Sequence, residues 1–144
     1  MGHEAEIRTV SADADVQAME PGSMIVRHHR SGRAELKTEA LTGGNVLHLA
    51  LATCVFNNMH RFAKDRGIRV TEASVVADGG FSSDGTASTG IACKVMVAGD
   101  ATRDDLLRLA TDAFEDSTVA AVLKRSTSVE LSSVDAHPPA GPSD

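Results

Sequence analysis

The chain has 144 residues, of which 42% are hydrophobic, so it is long enough to fold as one domain around a single core. It lacks Trp and Tyr and has a net charge of −6, which argues against the aromatic platforms and basic surfaces of nucleic-acid-binding proteins. No apolar run is long enough to span a membrane, and two cysteines without a secretory signal indicate the reducing cytoplasm.

The first 40 residues predict short strands rather than helices. Apolar and polar residues alternate there, and Pro21-Gly22 and Ser31-Gly32 supply turns. The three predicted strands span residues 4–10, 23–29 and 33–38, and the last two form a hairpin.

A long helix is predicted over residues 45–66. Thr42, Gly43 and Asn45 provide N-cap chemistry, and Gly67 supplies the C-terminal stop. The first half of this helix is apolar on nearly every face, which predicts burial on all sides. In a chain of this size such burial requires strands wrapped around the helix, or a second subunit.

The second half of the chain predicts two long strands, two helices and a final strand. Turn-forming residues at 78–80 and 83–85 place a loop between the two long strands. Residues 1–135 are predicted to form one domain, and the Pro- and Gly-rich residues 136–144 a disordered tail. The predicted strands span residues 68–77, 88–98 and 126–134, and the predicted helices span residues 102–115 and 117–124.

Cys54, near the middle of the long helix, is the main candidate for a reactive side chain. A thiolate nucleophile needs a lowered pKa, and the helix dipole does not supply it about ten residues from the helix start. Asn58 and Arg61 follow on the same face, so Arg61 is placed to reach back toward the thiol. Otherwise the cation must come from an arginine of the N-terminal strands, Arg27, Arg30 or Arg33. The alternative is that Cys54 is a small buried hydrophobic residue.

His48, in the same helix, is a candidate general base or hydrogen-bond donor. It precedes Cys54 by about 240° of helical turn, so the two side chains do not share a face. The alternative is a histidine satisfied in the core or at a dimer contact. His28 and His29 point to opposite faces of their strand, so only one of them can reach a site. Because no i, i+4 histidine pair or CxxC spacing occurs, no metal site is predicted.

Two further residues have a structural and a functional interpretation. Cys93 lies on the core face of its strand, which favours a structural thiol over a second redox cysteine. Ser117 is suited to cap the short helix that follows, and it is also a candidate hydroxyl lining the site.

The order of these elements resembles the OsmC/Ohr family of small bacterial thiol proteins over residues 5–134. The resemblance rests on a buried helix carrying Leu51-Ala52-Thr53-Cys54, a long hairpin, a Gly99-Asp100 turn into an amphipathic helix, and a short helix with a final strand. It implies an α+β fold in which two intertwined subunits bury their central helices inside wrapping antiparallel sheets. It also implies reduction of organic hydroperoxides by a peroxidatic cysteine, here Cys54.

Parts of the family pattern are absent from this sequence. The family's second cysteine belongs to a Cys-Pro-Val motif that falls on Ser117-Thr118-Val119, so a hydroxyl replaces the second thiol. The family's Glu in the first turn of the cysteine helix has no counterpart in Gly44-Asn45-Val46.

The resemblance therefore leads to two functional hypotheses. The first is a one-cysteine organic hydroperoxide reductase, a cytoplasmic homodimer that takes electrons from an external thiol and needs no cofactor. The second is a repurposed, non-redox catalyst or binding protein for a small organic metabolite at the dimer interface, and an inactive dimeric stress protein is the simplest alternative. The candidate catalytic residues are Cys54, His48, Arg30 and Arg61. The interface pocket is expected to be lined by Leu47, Leu51, Phe56 and Met59, with Asn45, Asn58 and Ser117 as further binding residues.

Overall fold

The computed structural model describes residues 2–11 and 22–140, which form one mixed sheet with helices packed against it. The elements, in chain order, are β1 (Ala5–Thr9), β2 (Ser23–His28), β3 (Gly32–Thr38), α1 (Gly43–Asp65), β4 (Val70–Phe81), β5 (Ser88–Gly99), α2 (Arg103–Glu115), α3 (Thr118–Leu123) and β6 (Val129–His137). The six strands are arranged in the order β2-β3-β1-β4-β5-β6. The predicted α+β class is confirmed. Among the helices of the described residues, none is long and apolar enough to cross a bilayer.

β1 lies inside the sheet, between β3 and β4, and is antiparallel to both. Ile7 stands opposite Leu36 on β3 and Val75 on β4. Its side chain is buried whereas that of Arg8 is exposed, as the two-residue period of a strand requires. The predicted hairpin is also present, because β2 pairs with β3 and residues 29–31 form the turn.

α1 lies against the sheet and contributes an apolar side to the core. Its N-terminus is capped by Thr42, whose hydroxyl accepts a hydrogen bond from the backbone N–H of Asn45 at 3.3 Å. Beyond its C-terminus Gly67 adopts a φ of 67°, a left-handed conformation that glycine reaches without steric cost. The buried apolar residues of α1 are Leu51, Ala52, Val55, Phe56, Met59 and Ala63.

β4 is longer than the sequence predicts. The glycine pair at residues 79 and 80 predicts a loop, but β4 continues through it to Phe81, so that prediction is wrong. A Cβ at Gly79 would lie 2.4 Å from the carbonyl oxygen of Gly90 and 3.3 Å from the ring of His48. Glycine occupies this position because β5 and α1 approach β4 too closely for a side chain.

β6 pairs with β5 in parallel, so the prediction of wholly antiparallel sheets is wrong for this pair. α2 and α3 form the crossover that two parallel strands require. β6 runs to His137, past the domain end predicted at residue 135. Residues 138–140 have no regular structure, and the rest of the predicted tail lies outside the described residues. The buried residues of α2 are Leu106, Leu109, Ala110, Ala113 and Phe114.

Candidate functional site

Cys54 is partly exposed on α1, whereas Cys93 is fully buried on the core face of β5. Both are free thiols. Burial raises the pKa of the Cys93 thiol to about 12, so at neutral pH it carries almost no thiolate and is unreactive. The structural interpretation of Cys93 is confirmed, and Cys54 is the accessible thiol of the chain.

The side of α1 that carries Cys54 is not covered by the sheet. We call it the open face and define it by Val46, Leu47, Ala50, Cys54 and Asn57, which recur at helical spacing. Val46 and Leu47 are 44% and 37% exposed, so the all-round burial predicted for this helix is not reached within one chain. Cover of the open face by a second subunit stays a prediction.

The turn between β2 and β3 brings an arginine to the open face. The Nε of Arg30 donates a hydrogen bond to the side-chain oxygen of Asn57 at 3.1 Å. Asn57 follows Cys54 by less than one helical turn, so the Arg30 guanidinium is held in the neighbourhood of the thiol. Arg27 and Arg33 face each other across β2 and β3, on the side of the sheet opposite to buried Ala34. Arg30 is therefore the candidate arginine with an established contact to α1.

Arg61 and Asn58 join α1 to the end of α2. The Arg61 guanidinium donates to the side-chain oxygen of Asn58 at 3.3 Å and forms an ion pair with Asp116 at 2.7 Å. Asn58 in turn donates to the carbonyl oxygen of Ala113 at 3.1 Å. Arg61 leans back to Asn58, three residues earlier in α1, and its charge is paired with Asp116. Its catalytic role, and the binding role of Asn58, stay predictions.

Ser117 caps α3. Its hydroxyl oxygen accepts the backbone N–H of Ala120 at 3.1 Å, and the residue is 2% exposed. The predicted N-cap is confirmed. Its neighbour Asp116 holds Arg61, so the α2–α3 junction lies beside the C-terminal half of α1.

His48 and Asn45 occupy a different place, under the N-terminal segment of the chain. The Nδ1–H of the fully buried His48 donates to the carbonyl oxygen of His3 at 2.6 Å, and its ring stacks on Phe81 at 5.6 Å. The amide nitrogen of Asn45 donates to the carbonyl oxygen of Glu4 at 3.2 Å. The other ring nitrogen of His48, Nε2, is buried and has no partner among the described residues.

The expected pocket residues divide into two groups. Leu51, Phe56 and Met59 are fully buried in the core of the single chain, and only Leu47 lies at the surface. Within the part of the chain that the structure describes, no group of three or more His, Cys, Asp or Glu side chains is arranged to hold a metal ion. The site that the geometry assembles is therefore smaller than the predicted one: Cys54, Asn57 and Arg30.

Sequence comparison places this geometry in a known family. The sequence profile described as OsmC-like protein matches residues 36–132, which is more than half of the chain. The chain belongs to the OsmC-like family. The match includes all of α1 with Cys54, and it ends within β6. Among curated proteins, none matches this OsmC-like chain.

Solved structures share the fold at low sequence identity. A hypothetical protein from Aquifex aeolicus VF5 superposes with a TM-score of 0.62 at 14% identity, covering 85% of this chain and 92% of the other. An organic hydroperoxide resistance protein OsmC from Legionella pneumophila, described as a predicted redox protein, gives 0.55 at 16% identity, covering 78% and 96%. An OsmC-like protein from Mycoplasma pneumoniae gives 0.52 at 12% identity, covering 81% and 99%. At these identities the likeness shows the fold alone.

Proposed function

We propose that this OsmC-like protein is a one-cysteine organic hydroperoxide reductase that acts through Cys54 and an external thiol. The observation that supports the proposal is the placement of Arg30. It is held on Asn57, next to the one accessible thiol of the chain. A cation beside a thiolate stabilises the reactive form of cysteine. The Legionella pneumophila protein is named for organic hydroperoxide resistance, which agrees with this chemistry.

The proposed reaction begins with the Cys54 thiolate attacking the terminal oxygen of the hydroperoxide. The O–O bond breaks, the alcohol leaves after taking up a proton, and Cys54 becomes a sulfenic acid. An external thiol then displaces water to form a mixed disulfide. A second external thiol releases Cys54 as a thiol, together with the oxidised external disulfide. Ser117 carries a hydroxyl and forms no disulfide, so the external thiol is required for turnover.

We also propose that the protein works as a homodimer in the reducing cytoplasm. The apolar end of the open face would be covered by the same face of a second copy. The exposed apolar side chains of this face support the proposal: Val46 is 44% exposed and Leu47 37%. Free thiols on α1 and β5 fit a reducing compartment.

The decisive experiment is intact-protein mass spectrometry after one equivalent of an organic hydroperoxide. Wild type is expected to gain about 16 Da, the mass of one oxygen atom, and to form an adduct with an added thiol. Cys54→Ser should show neither change, whereas Cys93→Ala should behave like wild type because Cys93 is buried. Arg30→Gln should react roughly tenfold more slowly, as expected for a loss of about 1.4 kcal/mol of charge stabilisation. Folded wild-type protein whose mass does not change would refute the proposal.

The second candidate function is a non-redox catalyst or binder for a small organic metabolite. The observation that favours it is His48, whose ring is fixed by the His3 carbonyl and presents an unpartnered Nε2 within the described residues. In this case a variant that lacks the thiol, Cys54→Ser, keeps the activity or the co-purified ligand, and His48→Ala loses it. The same pair of variants therefore distinguishes the two candidates.

A further inference from the structure

A cluster of aromatic and histidine rings fixes the β2–β3 turn to α1. His28, at the end of β2, is 8% exposed. Its ring lies 5.0 Å from the ring of Phe56, edge to face, and 5.9 Å from the ring of His60. Phe56 and His60 are neighbours on α1 with ring centroids 4.6 Å apart. We call His28, Phe56 and His60 the ring cluster.

The hydrogen bonds of the cluster require neutral imidazoles. The Nδ1 of His28 accepts the backbone N–H of Ser31 at 3.1 Å and lies 2.9 Å from the Ser31 hydroxyl. An imidazole nitrogen accepts a hydrogen bond only while it is unprotonated. The Nε2 of His60 is buried without a partner among the described residues, so the charged, doubly protonated ring would hold a buried N–H with no acceptor.

The groups around the cluster oppose its protonation. Burial, followed by the charge of His28, lowers the pKa of His60 to about 4. Burial, followed by the charges of His29 and Arg30, lowers the pKa of His28 as well. The charges that lower the two pKa values are those of His29 and Arg30 in the turn, which act on His28, and that of His28, which acts on His60. Within the described residues no carboxylate is among them.

The turn that the cluster holds is the one that carries Arg30. The next contact from the turn to α1 is the hydrogen bond from Arg30 to Asn57. We propose that the ring cluster is a pH-sensitive latch, which holds the β2–β3 turn and Arg30 against α1 while both histidines are neutral and releases the turn when they are protonated. The latch does not depend on the chemistry proposed for Cys54.

The direction of the pH effect follows from the two lowered pKa values. A released turn exposes both imidazoles, whose pKa values then return toward 6.5. At pH values between 6.5 and the lowered pKa values of the held state, the released state binds more protons than the held state does. The held state is therefore fully favoured above pH 6.5 and loses its advantage as the pH falls toward 4. Each unit of difference in pKa changes the ratio of held to released turn about tenfold.

The test is an NMR titration of labelled full-length protein from about pH 8 to about pH 4, so that it passes through the lowered pKa of His60. In wild type the Ser31 amide resonance should shift, and the heteronuclear NOE of residues 29–31 should fall as the turn becomes mobile. His60→Phe keeps a ring but cannot titrate, so the pH at which the turn is released should move down. The control His137→Gln changes an exposed histidine of β6 and should follow wild type.

A second variant keeps the test decisive if His60→Phe is poorly folded. His28→Asn preserves a side-chain acceptor for the Ser31 N–H but removes the ring that packs on Phe56 and His60, so the turn should be released already at about pH 8. The latch is overturned by a wild-type turn that is equally ordered at both ends of the titration. It is also overturned if both variants release the turn at the same pH as wild type.

Discussion

At several positions in this chain, the identity of the residue follows from how its neighbours pack around it as much as from its chemistry. Residue 79 of β4 is a glycine because β5 and the ring of His48 leave no room for a side chain. Ser117 caps α3, and Cys93 is a core residue that happens to be a thiol. In each case the local packing accounts for the residue, and of the two cysteines Cys54 is the accessible one.

Gly79→Ala is expected to lower the free energy of unfolding by about 2 kcal/mol, as other overpacked core substitutions do. The added Cβ would meet the Gly90 carbonyl oxygen at 2.4 Å and the His48 ring at 3.3 Å, so β5 or α1 would have to shift. Gly43→Ala is the matched control, because a Cβ there meets nothing within 4 Å. Urea denaturation of both variants measures the difference. Equal midpoints for Gly79→Ala and wild type would contradict the packing argument.

At the scale of elements, α1 organises the molecule. Its buried side packs on the sheet, its N-terminal end is tied to the segment before β1 through Asn45 and His48, and its C-terminal end is tied to α2. Cys54 lies between these two anchored ends. The hairpin of β2 and β3 reaches the same stretch of α1 through the ring cluster and Arg30. Rigid support on both sides is what positions a thiol for chemistry.

Two adjacent asparagines on α1 provide a test of that anchoring. Asn58 is buried and bonds both the Ala113 carbonyl and Arg61, so Asn58→Ala should destabilise the fold by about 2 kcal/mol. Asn57 makes an exposed bond with Arg30, so Asn57→Ala should cost less than about 0.5 kcal/mol. Thermal unfolding followed by circular dichroism compares the two. A larger loss for Asn57→Ala would show that the α1–α2 contact is not what stabilises this end of the helix.

Much of the element order can be predicted from the sequence, because the spacing of apolar residues and the turn-forming residues are local signals. Both hairpins, the three helices and the cap at Ser117 are found in this way. The extension of β4 and the parallel pairing of β6 are missed, since they depend on what packs against the strand from elsewhere in the chain. The site is less accessible still. The contact of Arg30 with α1 and the contact of His28 with His60 each join residues about 30 positions apart in the sequence. No local pattern encodes such contacts.

At the scale of the whole molecule, one chain leaves its central helix incompletely covered. Soluble monomers rarely keep a contiguous apolar surface without a use for it. The open face has apolar residues toward the N-terminal end of α1 and polar ones, with Cys54, toward its middle. A second copy packed on the apolar part would leave Cys54 near the edge of the contact, where substrate and an external thiol can enter.

Sedimentation velocity tests that arrangement. Wild type is expected to sediment as a dimer at micromolar concentration, and Leu47→Glu as a monomer, because it introduces an unpaired charge into the apolar contact. Ser133→Glu adds the same charge to an exposed position of β6 and should remain dimeric. A wild-type monomer would remove the proposed interface, and a dimer unaffected by Leu47→Glu would move it to another surface.

The parallel pairing of β6 also has a consequence for synthesis of the protein. β6 is synthesised after β5, α2 and α3, and it joins β5 only once the two helices have crossed over. Until then the edge of β5 that pairs with β6, at Ile91, Cys93 and Val95, has no strand beside it. An unpaired strand edge can pair with other chains, so a variant shortened before β6 should be prone to aggregation and to proteolysis.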